Sequence, residues 1–70
     1  MTYTYTTQQQ LRAAFWAEHD SFDHQARAAG IRSKGQNAQC ATVRCTWCDW
    51  IDSLARDGQI SEALAQRATL

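Results

Sequence analysis

Seventy residues make one domain and leave no room for a second. The chain is 44% hydrophobic, but 12 of those side chains are alanine, so only 19 larger ones, three cysteines among them, are available for a core. Seven basic residues balance seven acidic ones, which excludes wholesale attraction to nucleic acid or anionic membrane and leaves only local patches to consider.

A core this thin supplies at most about 3–5 kcal/mol, so a metal, a disulfide or a partner chain becomes a live question. The absence of proline and the alanine count predict an all-α domain, a small compact bundle of three main helices plus one short helix. No apolar run approaches the roughly 18 residues of a membrane span. The opening Met1-Thr2-Tyr3-Thr4-Tyr5-Thr6-Thr7 lacks both the basic start and the apolar stretch of a secretory signal. The expectation is therefore a cytoplasmic protein with reduced thiols, and an odd cysteine count does not close fully into intramolecular bridges.

Residues 1–7 read as an extended or frayed arm, because a Thr/Tyr alternation this short has no partner strand. Thr7 followed three residues later by Gln10 is a capping-box signature, and a helix from about Gln8 to His19 is predicted behind it. Its Leu11 and Phe15 face the core, with Arg12 and Trp16 toward the flanks. Asp20 or Ser21 as N-cap and Gly30 as stop frame a short second helix, about Ser21 to Ala29, with Phe22, Ala26 and Ala29 as its apolar stripe. Residues 30–39 combine turn formers with almost no large apolar group and are expected to form a mobile loop. The longest helix should run from about Gln39 to Asp57. Its core face collects Val43, Trp47, Trp50 and Leu54, with Cys40 and Ile51 just beyond, while Asp49, Asp52, Arg56 and Cys45 fall opposite and Cys48 lies on the border. Gly58 ends it, and Ile60, Leu64 and Ala68 mark a last helix capped by Ser61 or its neighbour.

Several residue groups carry potential chemistry. His19, His24, Cys40, Cys45 and Cys48 are five zinc-ligand types, and a structural zinc would remedy the thin core. Against this, Cys45 and Cys48 lie inside a periodic helix rather than in a turn, and Cys40 and Cys48 read as small buried hydrophobes. Cys45-Thr46-Trp47-Cys48 has dithiol redox spacing but no βαβ context. Asp57-Gly58-Gln59-Ile60-Ser61 imitates an EF-hand loop, yet the first, third and twelfth ligand positions are Ser53, Ala55 and Leu64. No metal or other cofactor is expected. Ala26-x-x-x-Gly30-Ile31 matches the turn of a DNA-binding helix-turn-helix, although Gly35 and Gln36 break the recognition helix that should follow. Arg27, Arg32, Lys34 and Arg44 nevertheless form a basic segment free of acidic residues between His24 and Cys48. The two histidines have no nucleophile, phosphate loop or carboxylate pair beside them, so no catalytic residue is assigned. Three tryptophans and two tyrosines exceed what a small core encloses, and such a surplus suits a binding face.

Leu11-Arg12-Ala13-Ala14-Phe15-Trp16, Asp49-Trp50-Ile51-Asp52-Ser53-Leu54, Arg56-Asp57-Gly58-Gln59-Ile60-Ser61 and the closing Leu64-Ala65-Gln66-Arg67-Ala68-Thr69-Leu70 resemble small uncharacterised helical proteins of bacterial phages and plasmids. The resemblance covers both ends, about half the chain, and leaves 17–42 outside. It implies context rather than activity: an accessory protein of a mobile element, of a class rich in modulators that bind host proteins or DNA. The expected function is non-enzymatic protein binding through Trp16, Tyr3 and Tyr5, with self-association through the aromatic face. The alternatives are a DNA-binding regulator using Arg27, Arg32, Lys34 and Arg44, and a zinc-stabilised module.

Overall fold

The computed structural model describes residues 3–70, and Met1 and Thr2, the first two residues of the expected arm, lie outside it. Its elements are α1 (Gln8–Glu18), α2 (Asp20–Ala28), a 3₁₀ turn (Gln36–Ala38), α3 (Ala41–Arg56) and α4 (Glu62–Arg67). The domain is an all-α small bundle, with no strand among the described residues.

Local chemistry sets most boundaries. The Thr7 hydroxyl accepts from the Gln10 amide at 3.2 Å, and Gln10 Oε1 accepts from the amides of Thr7 at 3.3 Å and Thr6 at 2.8 Å. That is the capping box read from Thr7 and Gln10. At the far ends of α2 and α3, Gly30 (φ 72°) and Gly58 (φ 75°) take the left-handed conformation that glycine adopts without strain. Each closes a Schellman motif: Ile31 N–H to Ala26 carbonyl (3.0 Å) with Gly30 N–H to Arg27 carbonyl (3.1 Å), and Gln59 N–H to Leu54 carbonyl (2.9 Å) with Gly58 N–H to Ala55 carbonyl (3.1 Å). Ser61 caps α4 by accepting from the Leu64 amide at 3.1 Å.

The joint between α1 and α2 is a single residue. His19, at φ −124° and ψ 63°, ends α1 and starts α2 without lending a side-chain cap to α2. Asp20, expected as cap, stands instead inside the first turn of α2, where it and Asp23 complement the positive end of the helix dipole.

The core gathers Leu11, Phe15 and Trp16 of α1, Ala26 of α2, Val43, Trp47, Ile51 and Leu54 of α3, then Ile60 and Leu64. Two positions depart from the helical projection. Trp16, expected at the edge, is 3% exposed, because the Arg32 guanidinium lies 5.0 Å over its ring. Trp50, expected inside, is half-buried: its ring meets Phe15 at 5.6 Å and Trp47 at 5.7 Å, and toward solvent it meets Tyr5 of the arm at 6.2 Å. Ala29 of the expected α2 stripe is exposed, since α2 stops before it.

Hydrogen bonds run through both the arm and segment 30–39. Thr4 and Tyr5 both donate backbone N–H to the Gln59 carbonyl, at 2.8 and 3.4 Å. Segment 30–39 is organised from inside by Gln39, 4% exposed, whose Nε2 donates to the carbonyls of Ile31 at 2.8 Å and Gly35 at 3.3 Å. Turn former content alone does not reveal such a buried amide. At the other end of the chain, Arg12 donates to the Thr69 carbonyl at 2.7 Å and holds the tail against α1.

Phe15 is fully enclosed, so Phe15→Ala is expected to cost about 3–5 kcal/mol, comparable to the whole stability of a domain this size. Urea titration followed by circular dichroism checks it. Trp50→Ala, whose ring is only partly enclosed, is expected to cost less, about 2 kcal/mol.

Candidate functional site

The five potential zinc ligands do not converge. His19 sits at the α1–α2 joint, where its ring lies 4.4 Å from that of Phe15 and stacks on Phe22 at 5.8 Å, and where Nδ1 donates to the Phe15 carbonyl at 2.8 Å. His24 is exposed on α2. Cys40, Cys45 and Cys48 are free and exposed. Among the described residues no three His, Cys, Asp or Glu side chains are grouped to hold a metal ion.

The expectation that Cys40 and Cys48 are buried hydrophobes is also corrected. Cys40 precedes α3 as its N-cap, at φ −69° and ψ 164°, so a helical projection does not apply to it. Cys48 falls outside the core arc of Val43, Trp47, Ile51 and Leu54. Cys45 and Cys48 lie within α3, away from the helix N-terminus that activates a redox pair. The EF-hand imitation at Asp57-Gly58 is the Schellman stop of α3.

No recognition helix follows the Gly30 turn, since the chain makes only the short 3₁₀ turn before α3 begins at Ala41. The basic segment is partly answered by an acidic group just outside it in sequence. Asp23 accepts from Arg32 Nε at 2.6 Å and from Arg27 Nε at 3.1 Å. The Arg32 hydrogen bond, with Arg27 beside it, holds the Asp23 carboxyl below the usual carboxylate range. Among the described residues, Lys34 and Arg44 are exposed and make no ion pair.

The aromatic surplus is distributed unevenly. Trp16 is buried and so is not available as an exposed anchor. Tyr3 is 44% exposed, the one large hydrophobic side chain so exposed among the described residues. Two residues on, Tyr5 is half-buried and covers the outer edge of Trp50. The arm carrying both tyrosines is fastened to the turn before α4 through Gln59, a residue that nothing in the Thr/Tyr alternation singles out. The candidate surface is thus the arm, with Tyr3 exposed, Tyr5 against Trp50 and Gln59 as the arm's backbone support. No helix among the described residues is long and apolar enough to cross a membrane.

Comparison with protein-family models, curated proteins and solved structures finds no match to this chain.

The Asp23 pairs give a pH dependence with a definite sign. A carboxyl that titrates lower in the folded than in the unfolded chain stabilises the fold above the unfolded value, and the contribution is lost as pH falls through the lower folded value. Thermal midpoints of the wild type are expected to fall on acidification below about pH 4, and those of Asp23→Asn to fall less over the same range.

Proposed function

We propose that this chain is a non-enzymatic protein-binding module, a cytoplasmic accessory protein of a bacterial mobile element that acts on a host protein. Its contact surface is the aromatic arm: Tyr3, with Tyr5 and the outer edge of Trp50 behind it. The observation that carries the reading is Tyr3, a large amphipathic ring left 44% exposed on an arm that hydrogen bonds fasten to the bundle. Aromatic side chains dominate interface hot spots, and an arm already held in place loses less freedom when it is covered. The mobile-element context rests on the resemblance read in the sequence of the two chain ends and is part of the proposal.

DNA binding through 27–44 is the weaker reading. Two of its four cations, Arg27 and Arg32, already share the Asp23 carboxylate, and the Arg32 guanidinium also covers Trp16. A phosphate backbone would have to compete with both contacts.

Immobilised protein incubated with lysate of a bacterial host, followed by mass spectrometry, should enrich a discrete protein partner. Tyr3→Ala is expected to weaken that capture by roughly 2 kcal/mol or more, the scale of a hot spot, with helicity unchanged. Capture indifferent to Tyr3, or duplex-DNA affinity that falls steeply with salt and flattens in Arg32→Ala with Lys34→Ala, would sink the proposal.

A further inference from the structure

A second face, distant in sequence from the aromatic arm, carries its own pattern. Stepping 100° per residue along α3 from Cys48 brings Ala41 and Ala55 within about 20° of it, and Arg44 and Asp52 within about 40° on opposite sides. Ala41, Arg44, Cys48 and Asp52 are exposed and Ala55 is half-buried. A groove of about 490 Å³ runs between this face and the end of α4, with Cys48, Asp52 and Ala55 on one wall and Ala65, Gln66 and Thr69 on the other. A second depression of about 340 Å³ continues it past Cys48 toward Ala41 and Arg44. Cys48 and Gln36 line both, so the two form one trough along α3.

We propose that this trough is a homodimer interface in which two copies lay α3 against α3, antiparallel, about a two-fold axis at Cys48. The argument is one of charge and size. About that axis Arg44 stands opposite Asp52 of the second copy, Ala41 opposite Ala55, and Cys48 opposite itself. Each close approach of the seam is made by small side chains, which let two helices pack near the lower end of the usual 8–10 Å separation. At each end of the seam an Arg44 of one copy then faces an Asp52 of the other across it, an attractive pair. The parallel arrangement would set Arg44 against Arg44 and Asp52 against Asp52, like charges at both ends. The charge order therefore selects the antiparallel one.

The ions are free to pair in this way. Arg44 makes no ion pair among the described residues, and Asp52 meets only Arg56, one turn away on the same helix, with the two side chains 66% and 74% exposed. Such solvated pairs contribute little and exchange readily for a better-shielded partner. A surface that complements its own copy under a two-fold is the signature of an isologous dimer rather than of an unrelated partner. Association also supplements a core of the size this chain can build.

Sedimentation of the reduced protein over a concentration series is expected to show a reversible monomer–dimer equilibrium. Arg44→Asp and Asp52→Arg should each weaken it at least about tenfold, since each places like charges opposite one another, and the double variant should restore it to within about threefold of wild type. Both positions are exposed, and circular dichroism of each variant verifies that the helices persist. Cross-linking tests the axis without altering charge. In a chain keeping only Cys48, diamide takes two electrons and two protons from the paired thiols and should yield a disulfide dimer promptly. Chains keeping only Cys45 or only Cys40 should yield little, because those residues face other side chains of the second copy. A monomer at every concentration, a charge swap that fails to restore pairing, or Cys45 cross-linking as fast as Cys48 overturns the proposal. Loss of partner capture in Tyr3→Ala bears only on the aromatic arm and leaves this result untouched.

Discussion

Phe15 is the ring against which the other aromatic side chains are set. It is wholly enclosed, and four rings surround it: His19 at 4.4 Å, Trp47 at 5.2 Å, Trp16 at 5.3 Å and Trp50 at 5.6 Å. The three tryptophans meet it edge to face, the arrangement that the ring quadrupoles favour. The cluster packs among the buried aliphatic side chains Leu11, Val43, Ile51, Leu54, Ile60 and Leu64. It also ties the ends of the fold to its centre. Trp50 carries Tyr5 and hence the arm, and Trp16 carries Arg32 and hence segment 30–39.

That second link joins packing to electrostatics. The Arg32 guanidinium lies over the Trp16 ring while its Nε engages Asp23, so one side chain seals the core edge and binds the connecting segment to α2. Cation and ring attract through the ring's negative face, and the carboxylate fixes where the cation sits. A basic stretch that reads as a surface for phosphate is in this fold partly a latch. The surface that remains exposed is accordingly aromatic at Tyr3 of the arm and mixed in charge along α3.

The features legible in the sequence were those decided within a few residues. Thr7 with Gln10, Gly30, Gly58 and Ser61 mark the helix ends because each satisfies backbone groups of its immediate neighbours. Val43, Trp47 and Leu54 emerged from periodicity alone, while Ile51, expected just beyond that face, takes the buried place expected of Trp50. What stayed hidden depends on chain segments folding over one another. Trp16 and Trp50 exchange their expected degrees of burial because a guanidinium from segment 30–39 covers the first and only a tyrosine of the arm covers the second. Cys40 sits just ahead of α3, where a shift of boundary by two residues removes it from the projection entirely. Gln39 reads as one more polar loop residue, and its role shows only when the carbonyls of Ile31 and Gly35 close around it. The candidate site was legible in part: Tyr3 and Tyr5 by composition, but neither their support at Gln59 nor the loss of Trp16 to the interior.

The one-residue joint at His19 leaves the domain no slack between its first two helices. The direction of α2 is set by two backbone angles and by a ring held on both sides by phenylalanines. One extra residue inserted there would turn the following helix by about 100°, swinging Ala26 out of the core and Asp23 away from Arg32 together. Segment 30–39 differs in kind: the exposed stretch at Ser33 and Lys34 lies between its anchors, and lengthening there costs only loop-closure entropy that grows slowly with length. Descendants of this chain are therefore free to drift in length on one side of α2 and are held to a fixed count of residues on the other.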